Sequence, residues 1–151
     1  MTTLADRRFI SHLDLDTFFV SVARLENSDL IGKPVIVGGL SDRGIVASCS
    51  YETRVYGVHT GMPMKIALRL CPEAKPVKGD FDRYSQLSRD VTEIIREQVP
   101  LYEKTGIDEF YADLTGMDRY FGCSLFMNEL KQRISKQTGL PISYEIGRAH
   151  V

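Results

Sequence analysis

The chain is poor in cysteine: three in 151 residues, Cys49, Cys71 and Cys123. They are odd in number, widely spaced and never in a C-x-x-C pair. That pattern excludes a disulfide frame and a structural zinc site, and points to reduced thiols in a cytoplasmic protein. Long apolar runs are also missing. No stretch approaches the roughly 20 residues of a membrane-spanning helix, and the N-terminal MTTLADRRF has no apolar signal core. Surplus charge is absent too: 19 Lys and Arg against 20 Asp and Glu leave a formal net charge of -1. The chain therefore lacks a global basic footprint for nucleic acid, although local patches stay open. No G-K-[ST] follows Gly38-Gly39, so that pair reads as a hairpin turn and not as a phosphate loop. What is present is 43% hydrophobic residues. That suffices for a packed core and argues against disorder. The length suits one domain, or one domain with a small insertion.

Phe9 to Leu15 alternates, with Phe9, Ser11, Leu13 and Leu15 on one side and Ile10, His12 and Asp14 on the other. This predicts a strand. Asp16 stands as N-cap before a helix over TFFVSVARLE. PVIVGG and GIVASC predict two short strands joined by a polar, Gly-rich turn. A short helix over SYETRVY ends at Gly57, and another over MPMKIALRLCP stops at Pro72. From Asp80 to Val99 the residues Tyr84, Leu87, Val91, Ile94 and Ile95 keep helical spacing, and Pro100 ends the run. LYEKTGI and EFYADLT predict strands, SLFMNELKQRISKQ a helix that ends at Gly139, and PISY the start of a last strand. With residues 17–78 set aside as a small α/β insertion after the first strand, the remaining order is β-α-β-β-α-β. That is the ferredoxin-like, or split, α+β order. Residues 1–16 and 79–144 are expected to form its one domain.

Within TGIDEFYADLT two adjacent carboxylates, Asp108 and Glu109, sit in an apolar, strand-like run. Neighbouring strand residues point to opposite faces, and an unpaired charge driven toward a core is costly. In the split order the first and third strands are antiparallel neighbours. The end of the first strand, Asp14, then lies beside the start of the third, Asp108 and Glu109, and the hairpin turn relaxes strict alternation. Three clustered anions raise one another's pKa, a penalty that a divalent cation removes. Hard oxygen ligands favour Mg2+ or Mn2+, and Mg2+ takes a few carboxylates plus substrate phosphates. The matching chemistry is two-metal phosphoryl transfer, with ions roughly 3.5–4 Å apart. Read alone, Asp14 suits a solvated strand end, and Asp108-Glu109 a polar turn as well as a ligand pair. The topology tips the trio toward metal. Asp16 is left as a cap, Asp113 as an exposed turn residue, and His12 and His59 as packing or surface residues.

Three separated motifs, HLDLDTFFVSVA, VASCSYETRVYGVHTGMP and GIDEFYADLTG, resemble the Y-family translesion DNA polymerases in their DNA polymerase IV branch. The resemblance runs from about Phe9 to Tyr144. It implies a palm on the split sheet and fingers in the insertion. It further implies that Asp14, Asp108 and Glu109 bind two Mg2+ ions, with Mn2+ a possible substitute. Asp14 and Asp108 would bridge both ions, and Glu109 would serve the ion nearest the primer 3′-hydroxyl. The backbone carbonyl of Leu15 would complete the other shell. Phe19 matches the steric gate under the sugar of the incoming nucleotide, where a 2′-hydroxyl would collide. Tyr51 and Arg54, at i, i+3 on one helix face, match the triphosphate-binding pair. Ser48 stands where the family often has a hydroxyl residue touching the triphosphate. The implied partners are primer-template DNA and a deoxynucleoside triphosphate, with a sliding clamp for a full-length parent only and no membrane. Without the family, Phe19 reads as a helix-core aromatic, like its neighbour Phe18, and Arg54 as a solvated charge.

Some features depart from that pattern. Gly106 stands where members usually carry Ser. After Tyr144 the family continues its last strand toward a triphosphate-contacting Lys, which has no counterpart here. Residues 145–151, EIGRAHV, resemble the in-frame translation of a common sequencing-library adaptor. They are expected to be an artefactual tail, with the last strand cut short. Thumb and little-finger domains are expected to be missing, which accounts for the absent basic charge. Because phosphate contacts supply most affinity for DNA, the chain alone is expected to be weakly active or inactive. Two other readings compete. One is a palm-type nucleotidyl cyclase, against which Phe19 and the Tyr51/Arg54 pair argue. The other is a non-catalytic polymerase relative serving as a repair scaffold, which the presence of all three carboxylates opposes.

Overall fold

A computed structural model describes residues 7–116 and 122–150. In chain order the elements are β1 (Arg7–Leu15), α1 (Phe18–Glu26), a single 3-10 turn (Ser28–Leu30), β2 (Val35–Gly38), β3 (Val46–Cys49), α2 (Tyr51–Arg54), α3 (Met64–Leu70), β4 (Lys75–Val77), α4 (Phe81–Gln98), β5 (Tyr102–Gly106), β6 (Glu109–Asp113), α5 (Cys123–Thr138) and β7 (Ile142–His150). They fall into two compact units. One ends at Asp16 and resumes at Ser85, and the other spans Thr17–Tyr84.

The first unit holds a four-stranded sheet in the order β5-β6-β1-β7, with every pairing antiparallel. Read along the chain without the other unit, this is β-α-β-β-α-β. The alternation of β1 is realised: Ser11, Leu13 and Leu15 are buried, as are Phe110 and Ala112 on β6 and Ile142 on β7. Leu87, Val91, Ile94 and Ile95 of α4, and Met127, Leu130 and Ile134 of α5, recur at helical spacing and are buried too. One polar atom in this core, Ser11 Oγ, has no hydrogen-bond partner among the described residues. A buried hydroxyl without a partner keeps its desolvation cost and gains nothing back. Ser11→Ala is therefore expected to leave the thermal midpoint unchanged or raise it. A fall of several degrees would reveal a partner that the structure lacks.

The sequence predicts the start of a last strand at PISY and expects it to be cut short; in the structure the strand runs from Ile142 to His150. It pairs residue by residue with β1, from Leu15↔Ile142 to Arg7↔His150. The correction has a physical reason. The flank of β1 offers a full row of N–H and C=O groups, and a backbone ladder satisfies them whatever side chains the partner carries. Val151 of the expected tail, and residues 1–6, lie outside the described residues.

A second correction concerns the start of α1. Asp16 is not its cap. Thr17 occupies that place in a left-handed conformation (φ 38, ψ 56) with no side-chain capping bond. The Asp16 carboxylate instead faces Ser143, whose Oγ lies 2.7 and 2.9 Å from its two oxygens.

The second unit is built on a three-stranded sheet, β3-β2-β4. All four residues of β2 are buried, as befits a central strand. β3 pairs with it antiparallel through the Gly-rich turn, and β4 pairs with it parallel. β4 was not readable from sequence, because three residues around Pro76 carry no alternation. This unit ends at Tyr84, whose ring stacks on Phe19 with centroids 4.2 Å apart and planes at 21°. All three cysteines are free and buried. Among the described residues no helix is long and apolar enough to cross a membrane.

Candidate functional site

The register of β1 against β6 sets Asp14 directly opposite Glu109. Opposed residues of an antiparallel pair share a face, with Cβ atoms roughly 4.5–5.5 Å apart. Gly106 pairs with Glu109, so the turn between β5 and β6 is the two-residue stretch Ile107-Asp108. That turn is clamped from two directions. The Leu15 N–H donates to the Asp108 carbonyl at 2.9 Å, tying the turn to the end of β1. From α4, the Ser88 hydroxyl donates to the Ile107 carbonyl. Lys104 Nζ then joins Ser88 Oγ (2.6 Å) to Thr92 Oγ1 (3.0 Å). The first unit thus brings Asp14, Leu15, Asp108 and Glu109 to one rim of its sheet.

The rim is electrostatically strained. Burial pushes the Asp14 carboxyl above its ordinary value, and the charges of Asp108 and Glu109 push it further. His12 works against that rise, while Asp16 adds to it. Asp108 is raised as well, first by burial and also by Glu109, against the pull of its own backbone N–H. Among the described residues no group of three or more His, Cys, Asp or Glu side chains is placed to hold a metal ion, the trio at this rim included. The rim brings its carboxylates near one another without closing them on one point. An open set of hard carboxylate oxygens fits Mg2+ or Mn2+, which complete their shells with water and substrate phosphates, and does not fit zinc.

One member of the site was missed in the sequence. His12, read there as a packing or surface residue, places Nε2 2.9 Å from Glu109 Oε1. Its ring lies 4.8 Å from that of Tyr111, its cross-strand neighbour, with planes at 36°. The clue was the alternation of β1, which puts His12 and Asp14 on the same face.

The second unit carries the remaining candidates. Phe19, half-buried on α1, stands in a cluster with Phe18, Phe81 and Tyr84. Phe18 is buried, in agreement with its core reading. Tyr51 and Arg54 are the first and last residues of α2, and both are exposed. The Arg54 guanidinium lies 4.7 Å from the Tyr51 ring centroid, and Nη2 donates to the Cys49 carbonyl at 3.3 Å. The structure therefore brings this pair together on one face. Ser48 lies half-buried on β3. Ser50 is structural: its buried Oγ accepts from the Val35 N–H at 2.9 Å. Arg24 holds Glu52 at 3.2 Å.

Comparison with known proteins adds to this geometry. The model of the impB/mucB/samB family matches residues 13–151. DNA polymerase IV of Treponema denticola is 41% identical over 143 residues, covering 93% of this chain and 36% of that protein. DNA polymerase IV of Alkalilimnicola ehrlichii is 41% identical over 139 residues, covering 91% and 39%. Among solved structures, DinB from Sulfolobus solfataricus matches with a TM-score of 0.85 at 29% identity, over 92% of this chain and 42% of that one. An insertion ternary complex of Dbh DNA polymerase also matches with a TM-score of 0.85, at 28% identity, over 92% and 42%. The chain spans about two fifths of the length of these curated relatives.

Proposed function

The chain belongs to the impB/mucB/samB family, and from that premise we propose that it is the metal- and nucleotide-binding part of a translesion DNA polymerase. The reaction is nucleotidyl transfer. The primer 3′-oxygen bonds to the α-phosphorus of a deoxynucleoside triphosphate, and pyrophosphate leaves. When bound, two divalent ions, Mg2+ or Mn2+, supply acidification of the attacking hydroxyl and neutralisation of the triphosphate. Asp14 and Asp108 would hold both ions, Glu109 the one nearest the primer, and the Leu15 carbonyl the other. Tyr51 and Arg54 would grip the triphosphate, the guanidinium as a fork and the phenol as a donor, with Ser48 adding a hydroxyl. Phe19, backed by Tyr84, would reject a 2′-hydroxyl. Primer-template DNA is the macromolecular partner. The three buried free thiols suit the reducing cytoplasm, where we place the reaction.

One observation carries this reading: Asp14 sits opposite Glu109, with Asp108 in the adjoining turn tied to Leu15. The test is equilibrium binding of fluorescent deoxy-ATP and ATP to the 151-residue chain, with and without Mg2+. Binding is expected to need Mg2+ and to favour the deoxy sugar. Phe19→Ala is expected to shrink that preference by roughly tenfold, the scale of losing one well-fitted contact. Uptake by the native chain that ignores both Mg2+ and the sugar would overturn the proposal.

A further inference from the structure

We propose that His12 is a positioning residue for the acid rim, holding Glu109 in place through its Nε2–H. The inference rests on the metal reading above and goes beyond it, because His12 is neither a ligand nor a base in that reading. Glu109 is a long side chain, 44% exposed, and it stands beside two other carboxylates. Repulsion from Asp14 and Asp108 and the freedom of its own rotamers both favour its swinging out to solvent. One contact opposes this. A carboxylate oxygen only accepts, so at 2.9 Å the proton lies on His12 Nε2 and is donated to Glu109 Oε1. The bond takes one carboxylate oxygen and leaves Oε2 for an ion.

His12 is itself well fixed. It lies in the middle of β1, paired with Tyr111 on β6 and Glu145 on β7. Its ring leans on that of Tyr111, and its side chain is 31% exposed, against 44% for Glu109. A central-strand imidazole with an aromatic support is a stiffer anchor than a loop residue. Outer hydrogen-bond partners of this kind orient metal-binding carboxylates, and their loss typically costs about 10- to 100-fold in metal affinity or activity. Tyr111 then belongs to the same device, as the support of the support.

The test is Mn2+ binding to the 151-residue chain, read by electron paramagnetic resonance as free ion lost from solution, with thermal midpoints as the folding control. His12→Phe keeps a ring against Tyr111 and removes the donor. It is expected to weaken Mn2+ binding about tenfold. His12→Gln restores an N–H donor near the same place and is expected to recover most of the affinity. Should His12→Phe fail to fold, Tyr111→Leu tests the same chain of contacts with a smaller expected loss. Native-like Mn2+ affinity in folded His12→Phe would overturn the positioning role while leaving the metal reading intact. Native and Asp14→Ala chains that bind Mn2+ identically would overturn both. An affinity lost equally in the Phe and Gln variants would assign His12 to packing and sink the proposal.

Discussion

Asp14→Asn is expected to raise the thermal midpoint of the metal-free chain at pH 7 and to abolish the stabilisation that Mg2+ gives the native protein. The sign follows from the rim. Burial, with repulsion from Asp108 and Glu109, holds the folded Asp14 carboxyl above the ordinary aspartate range, and burial, with repulsion from Glu109, does the same to Asp108. For such groups the stabilising contribution is fully present below the unfolded value and is lost as pH rises through the folded one. Ionised, these acids place like charges in a half-buried cluster of the folded chain. Asparagine keeps the shape and removes one charge. As pH falls through its raised folded value, the native carboxyl protonates and the advantage of the variant shrinks. Mg2+ reverses the order. An ion at ten times its dissociation constant stabilises the native chain by about 1.4 kcal/mol, a shift of a few degrees for a chain of this size. The variant, with one bridging ligand gone, is expected to show almost none of that. In any polymerase built on this site the same change removes several kcal/mol of transition-state stabilisation, about a thousandfold in rate. Melting curves of both chains at pH 7 and pH 4, each with and without Mg2+, measure the first two effects. A variant less stable than native in metal-free buffer at pH 7 would show that the rim is not repulsive, and the cation argument would lose its basis.

The acid trio was legible because it depends on topology, which hydrophobic periodicity carries. The alternation of Phe9 to Leu15 and the helical spacing after Asp80 were enough to draw the split sheet. The split sheet alone puts Asp14 beside Asp108 and Glu109. Contacts that depend on one side chain meeting another across strands were not legible. His12 and Glu109 are 97 residues apart, and their bond needs the register as well as the strand order. Asp16 failed as a cap for a related reason. An Asp before a helical run is a local pattern, but Ser143, far along the chain, competes for the carboxylate. The reach of β7 to His150 is not legible in its side chains, because the backbone ladder that carries it is indifferent to them. In the second unit the glycines predict the hairpin, but which glycine matters is a question of ångströms that the sequence does not carry.

Gly44 is that glycine, and Gly44→Ala is expected to destabilise the second unit by about 3 kcal/mol, the upper end for overpacking. A Cβ at Gly44 would stand 1.8 Å from the Gly39 carbonyl oxygen and 2.5 Å from its carbon. Both are backbone atoms, so no rotamer change relieves the clash. The turn would have to open. It is held by hydrogen bonds from Gly44 N–H to the Ser41 carbonyl (2.9 Å) and from Met64 N–H to the Gly44 carbonyl (2.8 Å), and opening it breaks both. Gly38, across the same turn, is less tight, with a Cβ there 2.3 Å from the Ile45 carbonyl oxygen. Gly61 is the control. Its φ of +94 strains any other residue, but nothing lies within 4 Å of its Cβ position, so Gly61→Ala costs only about 1–2 kcal/mol of backbone preference. Urea midpoints of the two variants measure the difference, and equal losses would show that the hairpin accommodates a methyl group. The consequence reaches function through β3. That strand carries Ser48 and feeds through Ser50 into α2, where Tyr51 and Arg54 sit. A hairpin forced open releases the strand that aims all three, so Gly44→Ala is expected to lose triphosphate binding along with stability, whereas Gly61→Ala keeps it.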